Sequence, residues 1–158
     1  MIHHLRTRHL ARSACSDAGF SFVEMAVTLA IVGVVSAMGA TGLPRLLGSY
    51  NLSGTATQIT NDLRLVRMRA VTQNARARLR FTGSTYVPER ESPAGSNSYV
   101  TDGATRSVPG GVSVSATPGT PTFDSRGLAT QQYTLTVSDT YGKTRTITVT
   151  SIGRVNLS

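Results

Sequence analysis

Few residues of this chain have a type and spacing suited to chemistry. Glu89 and Glu91 are the only close pair of acids beyond residue 19. A carboxylate pair can flank a glycosidic bond as acid and base. This one lies in the Pro/Ser/Gly-rich stretch 88–98, which reads as a solvated surface loop. The three His stand at positions 3, 4 and 9 and the single Cys at 15. Residues 20–158 therefore offer neither imidazole nor thiolate. A Ser-His-Asp arrangement is impossible there, His/Cys metal ligation is too, and one Cys cannot form a disulfide within the chain. Gly110-Gly111 and Gly153 fit turns and do not match a phosphate-binding loop. The expectation is a non-enzyme with no cofactor and no metal. Two charged features remain. Glu24 stands alone in an apolar run. Arg76, Arg78 and Arg80 lie on one face of an expected strand, with Lys143, Arg145 and Arg154 from the C-terminal hairpin region. A carboxylate in apolar surroundings needs a cationic partner, and guanidinium groups suit phosphate, in contacts that are independent of base sequence and sensitive to salt.

The elements that position these residues follow from hydrophobic patterning. The chain has 158 residues, 39% of them hydrophobic, and 16 Lys+Arg against 8 Asp+Glu, for a formal charge of +8. That length suits one small domain. From Phe20 to Leu43 Glu24 is the only charge, and a bilayer core takes about 20 apolar residues in helix. The apolar core of a secretory signal is shorter, ~7–15 residues. Arg6, Arg8 and Arg12 precede the run against Asp17 alone, which orients the N-terminus to the cytoplasm and the body outside. At depth in lipid the Glu24 carboxylate costs ~2.5–3.5 kcal/mol. Gly39, Gly42 and Pro44 are poor helix residues, so a kink or local melting is expected near 39–44.

Beyond Pro44 the helical period resumes. Leu52, Ala56, Ile59, Leu63, Val66 and Ala70 form one stripe, the mark of a helix laid on a sheet, while Leu65 and Met68 fall on its far side. From about Ala75 the period becomes two: Ala77, Leu79 and Phe81 alternate with the three arginines. Tyr86-Val87 continues this strand or starts the next. Further strands are expected at 98–101, 112–116, 121–123, around Tyr133–Val137, around Ile147–Val149, and from Arg154 to Leu157. A hairpin turn with Gly142 links Asp139 to Lys143. One long helix followed only by strands makes an α+β fold, its helix membrane-spanning in the first half and packed on antiparallel β-sheet.

The residues Gly19-Phe-Ser-Phe-Val-Glu24 resemble the class III signal of type IV prepilins and type II secretion pseudopilins. The resemblance implies cleavage between Gly19 and Phe20 by a prepilin peptidase/methyltransferase and N-methylation of Phe20. It also implies that Glu24 forms an assembly charge pair with the freed α-amino group of a neighbouring subunit, fixing the axial stagger in a filament. The chain then divides into a cytoplasmic leader (1–19), a transmembrane and filament-core helix (20–43) and a periplasmic α+β domain (44–158). Cys15 leaves with the leader.

The body also resembles the minor pseudopilins of the GspH/FimT type. The carrying features are Leu63–Ala70 followed by Asn74 and a strand, Phe123-Asp-Ser-Arg-Gly127, the hairpin with Gly142-Lys143, and Ile152-Gly153-Arg154-Val155. That resemblance implies a pilin-like fold, anchorage by a single pass in the inner membrane, and later incorporation into a pseudopilus. Implied partners are other major and minor pseudopilins and an inner-membrane secretion or pilus platform. Two functions stay open: a minor pseudopilin of a type II secretion system, or a FimT-like minor type IV pilin that binds DNA for uptake or primes pilus assembly. FimT-like DNA binders resemble one another in a C-terminal Gly-Arg-x-Arg; here Gly153-Arg154-Val155-Asn156 lacks the second Arg.

Overall fold

The structure is a computed structural model that describes residues 20–158, with backbone alone for 40–42. The leader 1–19, with Gly19, lies outside the described residues. Helix α1 runs over Phe22–Thr72. Nine strands follow: β1 Ala77–Thr82, β2 Thr85–Glu91, β3 Tyr99–Thr101, β4 Arg106–Ser107, β5 Val112–Thr117, β6 Thr122–Phe123, β7 Tyr133–Asp139, β8 Thr144–Val149 and β9 Val155–Leu157. All pair antiparallel. One sheet has the order β3-β2-β1-β6 with β4 also on β2; the other has the order β5-β7-β8-β9. The long N-terminal helix followed by antiparallel sheets is the architecture expected.

Two details differ from the expectation. The helix does not break near 39–44, for Pro44 lies inside α1. A helix in which one backbone hydrogen bond is missing can persist when its neighbours are strong helix formers and Leu46 and Leu47 continue it. The stretch 88–98 is not all loop: β2 continues through Pro88 to Glu91, because Pro88 keeps its place across from Leu79 and its carbonyl accepts the Asp102 N–H, so that only its missing donor is lost.

The described residues fall into two compact units that part between Gly39 and Ala40. In the first, the apolar side chains of α1 are exposed. In the second, the stripe Leu52, Ala56, Ile59, Leu63, Val66 and Ala70 is 2% exposed or less at every position. It packs into one core with Ala77, Leu79 and Tyr86 of the first sheet, Phe123, and Tyr133, Leu135, Val137, Ile147, Val149 and Val155 of the second. The helix ends in a Schellman turn: Ala75 N–H donates to Ala70 O and Asn74 N–H to Val71 O, with Asn74 at φ +48°. Asn tolerates that left-handed geometry, which accounts for an Asn between helix and first strand.

Candidate functional site

Glu24 lies in the first turn of α1, where the helix dipole favours a negative charge. Around it the helix is apolar on every side, and Phe20, Phe22, Val23, Met25, Leu29, Ile31, Val32, Val34 and Val35 are all exposed. A helix hydrophobic all round must be covered by lipid or by other helices. Phe20 and Glu24 thus stand on a surface that the described residues do not bury.

The arginines of β1 are not a free cationic face. Arg78 stands directly across from Glu89 in the β1–β2 register, and Arg80 lies one diagonal step away. Arg78 Nε donates to Glu89 Oε2 at 2.7 Å and Arg80 Nε to Oε1 at 2.6 Å. One carboxylate, 5% exposed, thereby holds two guanidinium groups. The Arg78 guanidinium also stacks over the Tyr99 ring, 3.7 Å from its centre. Burial pushes the Glu89 carboxyl up, but its two arginine hydrogen bonds and charges together outweigh that and hold it below the usual carboxylate range.

Arg76 Nη1 donates to Asn97 Oδ1 at 2.7 Å and lies 3.8 Å from Glu91 Oε1. Glu91 is likewise buried, and its Oε1 accepts the Asn97 N–H at 2.8 Å. Burial again raises this carboxyl, while backbone N–H groups of the 92–98 loop and Arg76 lower it further. Glu89 and Glu91, read as solvated loop acids, are therefore buried structural acids. Pro88 obscured them, because proline within a run argues against a strand. Their alternation with Val87 on the outer face was the available signal.

Lys143, Arg145 and Arg154 have no acid partner among the described residues. Lys143 Nζ is 3.4 Å from Ser49 Oγ of α1, and Arg154 Nε donates to Asn156 Oδ1 at 3.1 Å. They do not form one patch. Lys143 and Arg145 stand at the start of β8, whereas Arg154 follows the turn at its other end, across from Thr150. At ~3.3 Å per residue the strand separates Arg145 from Arg154 by roughly 16 Å.

The turns that flank β6 and β8 interlock on the helix. Asp124 Oδ1 accepts the N–H groups of Arg126 and Leu128, both at 2.9 Å, closing the Asp124–Leu128 turn. Burial raises the Asp124 carboxyl, but these hydrogen bonds and Arg126 bring it below its ordinary value. Gly127 O then accepts from Arg67 Nε of α1 at 2.8 Å. Gly153, at φ +78°, lies against the same carbonyl so closely that a Cβ would collide with it. Arg64 Nη2 reaches Val155 O at 3.4 Å. The Asp-Ser-Arg-Gly and Ile-Gly-Arg segments are thus joints that seat both sheets on the helix.

A family model described as Type II transport protein GspH matches residues 55–153. A second, Prokaryotic N-terminal methylation motif, matches residues 15–40. Among curated proteins none matches the chain. Three solved structures share the fold. The type IV minor pilin FimU of Pseudomonas aeruginosa aligns at TM-score 0.57 and 14% identity, covering 70% of this chain and 90% of that one. The minor pseudopilin EpsH from the type 2 secretion system of Vibrio cholerae aligns at 0.57 and 13%, covering 68% and 96%. GspH of E. coli aligns at 0.58 and 16%, covering 69% and 88%.

Proposed function

The chain belongs to the GspH family of type II transport proteins, and from that premise we propose that it is a minor pseudopilin of a type II secretion system. Prepilin peptidase cuts between Gly19 and Phe20 and methylates Phe20. The mature subunit waits in the inner membrane with its domain in the periplasm, then enters a short pseudopilus that drives exoprotein secretion. The chain works as a structural subunit and catalyses no reaction. The single observation that carries this reading is the GspH match over 55–153 directly behind a methylation motif over 15–40. The exposed apolar helix supports it, since assembly supplies the cover that the described residues lack.

The physical role of Glu24 follows. The α-amino group freed at Phe20 is a cation in an apolar bundle, and Glu24 of an adjacent subunit neutralises it. Each charge alone is costly at such depth, so the pair selects the register in which both are satisfied. A second reading, a DNA-binding minor pilin, is favoured by the acid-free Lys143, Arg145 and Arg154. The engagement of Arg78 and Arg80 by Glu89 weighs against it, because a paired guanidinium has less to offer a phosphate.

The test is complementation of a deletion strain, with exoprotein secretion and pilus assembly read in parallel. Restored secretion with unchanged piliation supports the pseudopilin. Restored piliation or DNA uptake with unchanged secretion would replace it with the pilin reading.

A further inference from the structure

Where α1 leaves the apolar run, the chain gathers a set of residues that the secretion role does not use. Arg45 follows the end of the run at Leu43 by two residues. The turn between β7 and β8 reaches α1 just beyond it: Tyr141 packs so closely on Gly48 that a Cβ there would touch the ring at 3.0 Å. Lys143 Nζ lies 3.4 Å from Ser49 Oγ. At 1.5 Å per residue, Ser49 is only about 9 Å along the helix from Leu43. The headgroup layer on each side of a bilayer is roughly 5–8 Å thick, so this turn meets the helix at the depth of the lipid headgroups or just above it.

The residue types fit that depth. Tyr50 is 80% exposed and Tyr141 50% exposed, and they stand on different sides of the helix. Tyr rings with one apolar body and one polar tip collect at headgroup level. Arg45, Lys143 and Arg145 supply cations, none with an acid partner among the described residues. Among the described residues the acid that faces the group is Asp139. Its Oδ1 is taken by the N–H groups of Tyr141 and Lys143, at 2.9 and 2.8 Å, and the local balance stays positive.

We propose that the β7–β8 turn, with Arg45 and Tyr50, forms a basic and aromatic collar that docks the domain on anionic phospholipid headgroups while the subunit is anchored in the membrane. Continuity with the apolar run selects lipid as the occupant: a tethered collar meets headgroups before any soluble ligand. The collar gives Lys143 and Arg145 a role separate from nucleic acid, and it is released when the subunit leaves the bilayer for a filament.

The inference rests on residues 20–43 spanning the membrane, and the experiment separates the two. The chain has no Trp, so Tyr141→Trp makes a single reporter in the full chain. That protein is placed in nanodiscs with a Trp-free scaffold, of phosphatidylcholine with or without phosphatidylglycerol, carrying headgroup spin-labelled lipid as quencher. The expected result is at least about twofold stronger quenching in the anionic discs. Salt at about 0.5 M reduces it, and Lys143→Glu with Arg145→Glu brings it to the phosphatidylcholine level. Tyr50→Trp, in an exposed position, serves as a second reporter should the first disturb the packing on Gly48. Equal quenching in both lipids, or quenching indifferent to charge reversal, overturns the docking. Binding of duplex DNA in phosphatidylcholine discs that disappears in the double variant, without lipid-dependent quenching, assigns the cations to nucleic acid instead. Failure of the chain to co-purify with the discs overturns the span itself.

Discussion

Two stretches of α1 handle their apolar residues in opposite ways. Between Phe22 and Leu47 the large apolar side chains lie exposed around the helix. Between Leu52 and Ala70 most are confined to one buried stripe, with Leu65 and Met68 left exposed on the far side. The second stretch is stabilised by its own chain and the first needs a cover from outside. The lesson concerns where a substitution acts: in the second stretch on folding, in the first on insertion and assembly.

The strongest test of that contrast is Leu63→Ala, which empties a fully buried position. It is expected to lower domain stability by about 3–5 kcal/mol, read as a shift of the urea midpoint. Val32→Ala, the same kind of truncation in the first stretch, is expected to leave that midpoint unmoved. If both shift it alike, the division between the stretches is wrong.

Next comes Gly153→Ala. The residue would carry a side chain at φ +78° and press against the Gly127 carbonyl. A loss of about 2–3 kcal/mol is expected in thermal or urea unfolding. A neutral outcome would mean the joint between the two turns and Arg67 is loose.

A smaller effect, about 1–2 kcal/mol, is expected for Glu89→Gln, since Arg78 and Arg80 remain partly hydrated when the charge is lost. Its signature is pH. Glu89, Glu91 and Asp124 all have folded-state values below their ordinary ones, so the unfolded chain takes up protons first. Their contribution is complete above the ordinary carboxylate range and is lost as pH falls through the lowered values, from about pH 4.5 downward. Urea midpoints measured from neutral to acid pH should fall in that window, and less steeply in Glu89→Gln. A variant with an unchanged acid slope would remove Glu89 from the account.

Least visible in folding is Glu24→Ala. The domain midpoint should not change, and mass spectrometry should show the leader still cleaved, while incorporation into filaments drops. Normal incorporation would remove the charge-pairing argument. Gly19→Ala is the complementary control, expected to leave the unprocessed mass.

Much of this was legible in residue spacing. Two periodicities, 3.6 over Leu52–Ala70 and 2 from Ala77 onward, reflect which face meets the core, and burial follows the face. The run from Phe20 to Leu43 with its lone Glu24 marks its own environment by composition, because no soluble core of a small domain could bury a helix on all sides. The positive-φ turn at Gly142 was readable for the same local reason. Fates of charged residues were not readable. Arg78 and Arg80 looked like a cationic face until the β1–β2 register set Glu89 across from them. The two-residue strand β4 left no pattern, being too short to show a period.

Sequence alone therefore determined the helix and most of the strands, the membrane-competent segment and the core stripe, since each depends on contacts within a few residues or on bulk apolarity. Tertiary structure decided which cations are spent on buried acids, that Arg154 lies far from Arg145, and that Lys143 sits beside Ser49. Those depend on strand register and on the return of a distant turn to the helix, and electrostatic pairing is short-ranged: Glu89 reaches both Arg78 and Arg80 only because the β1–β2 register sets it beside them.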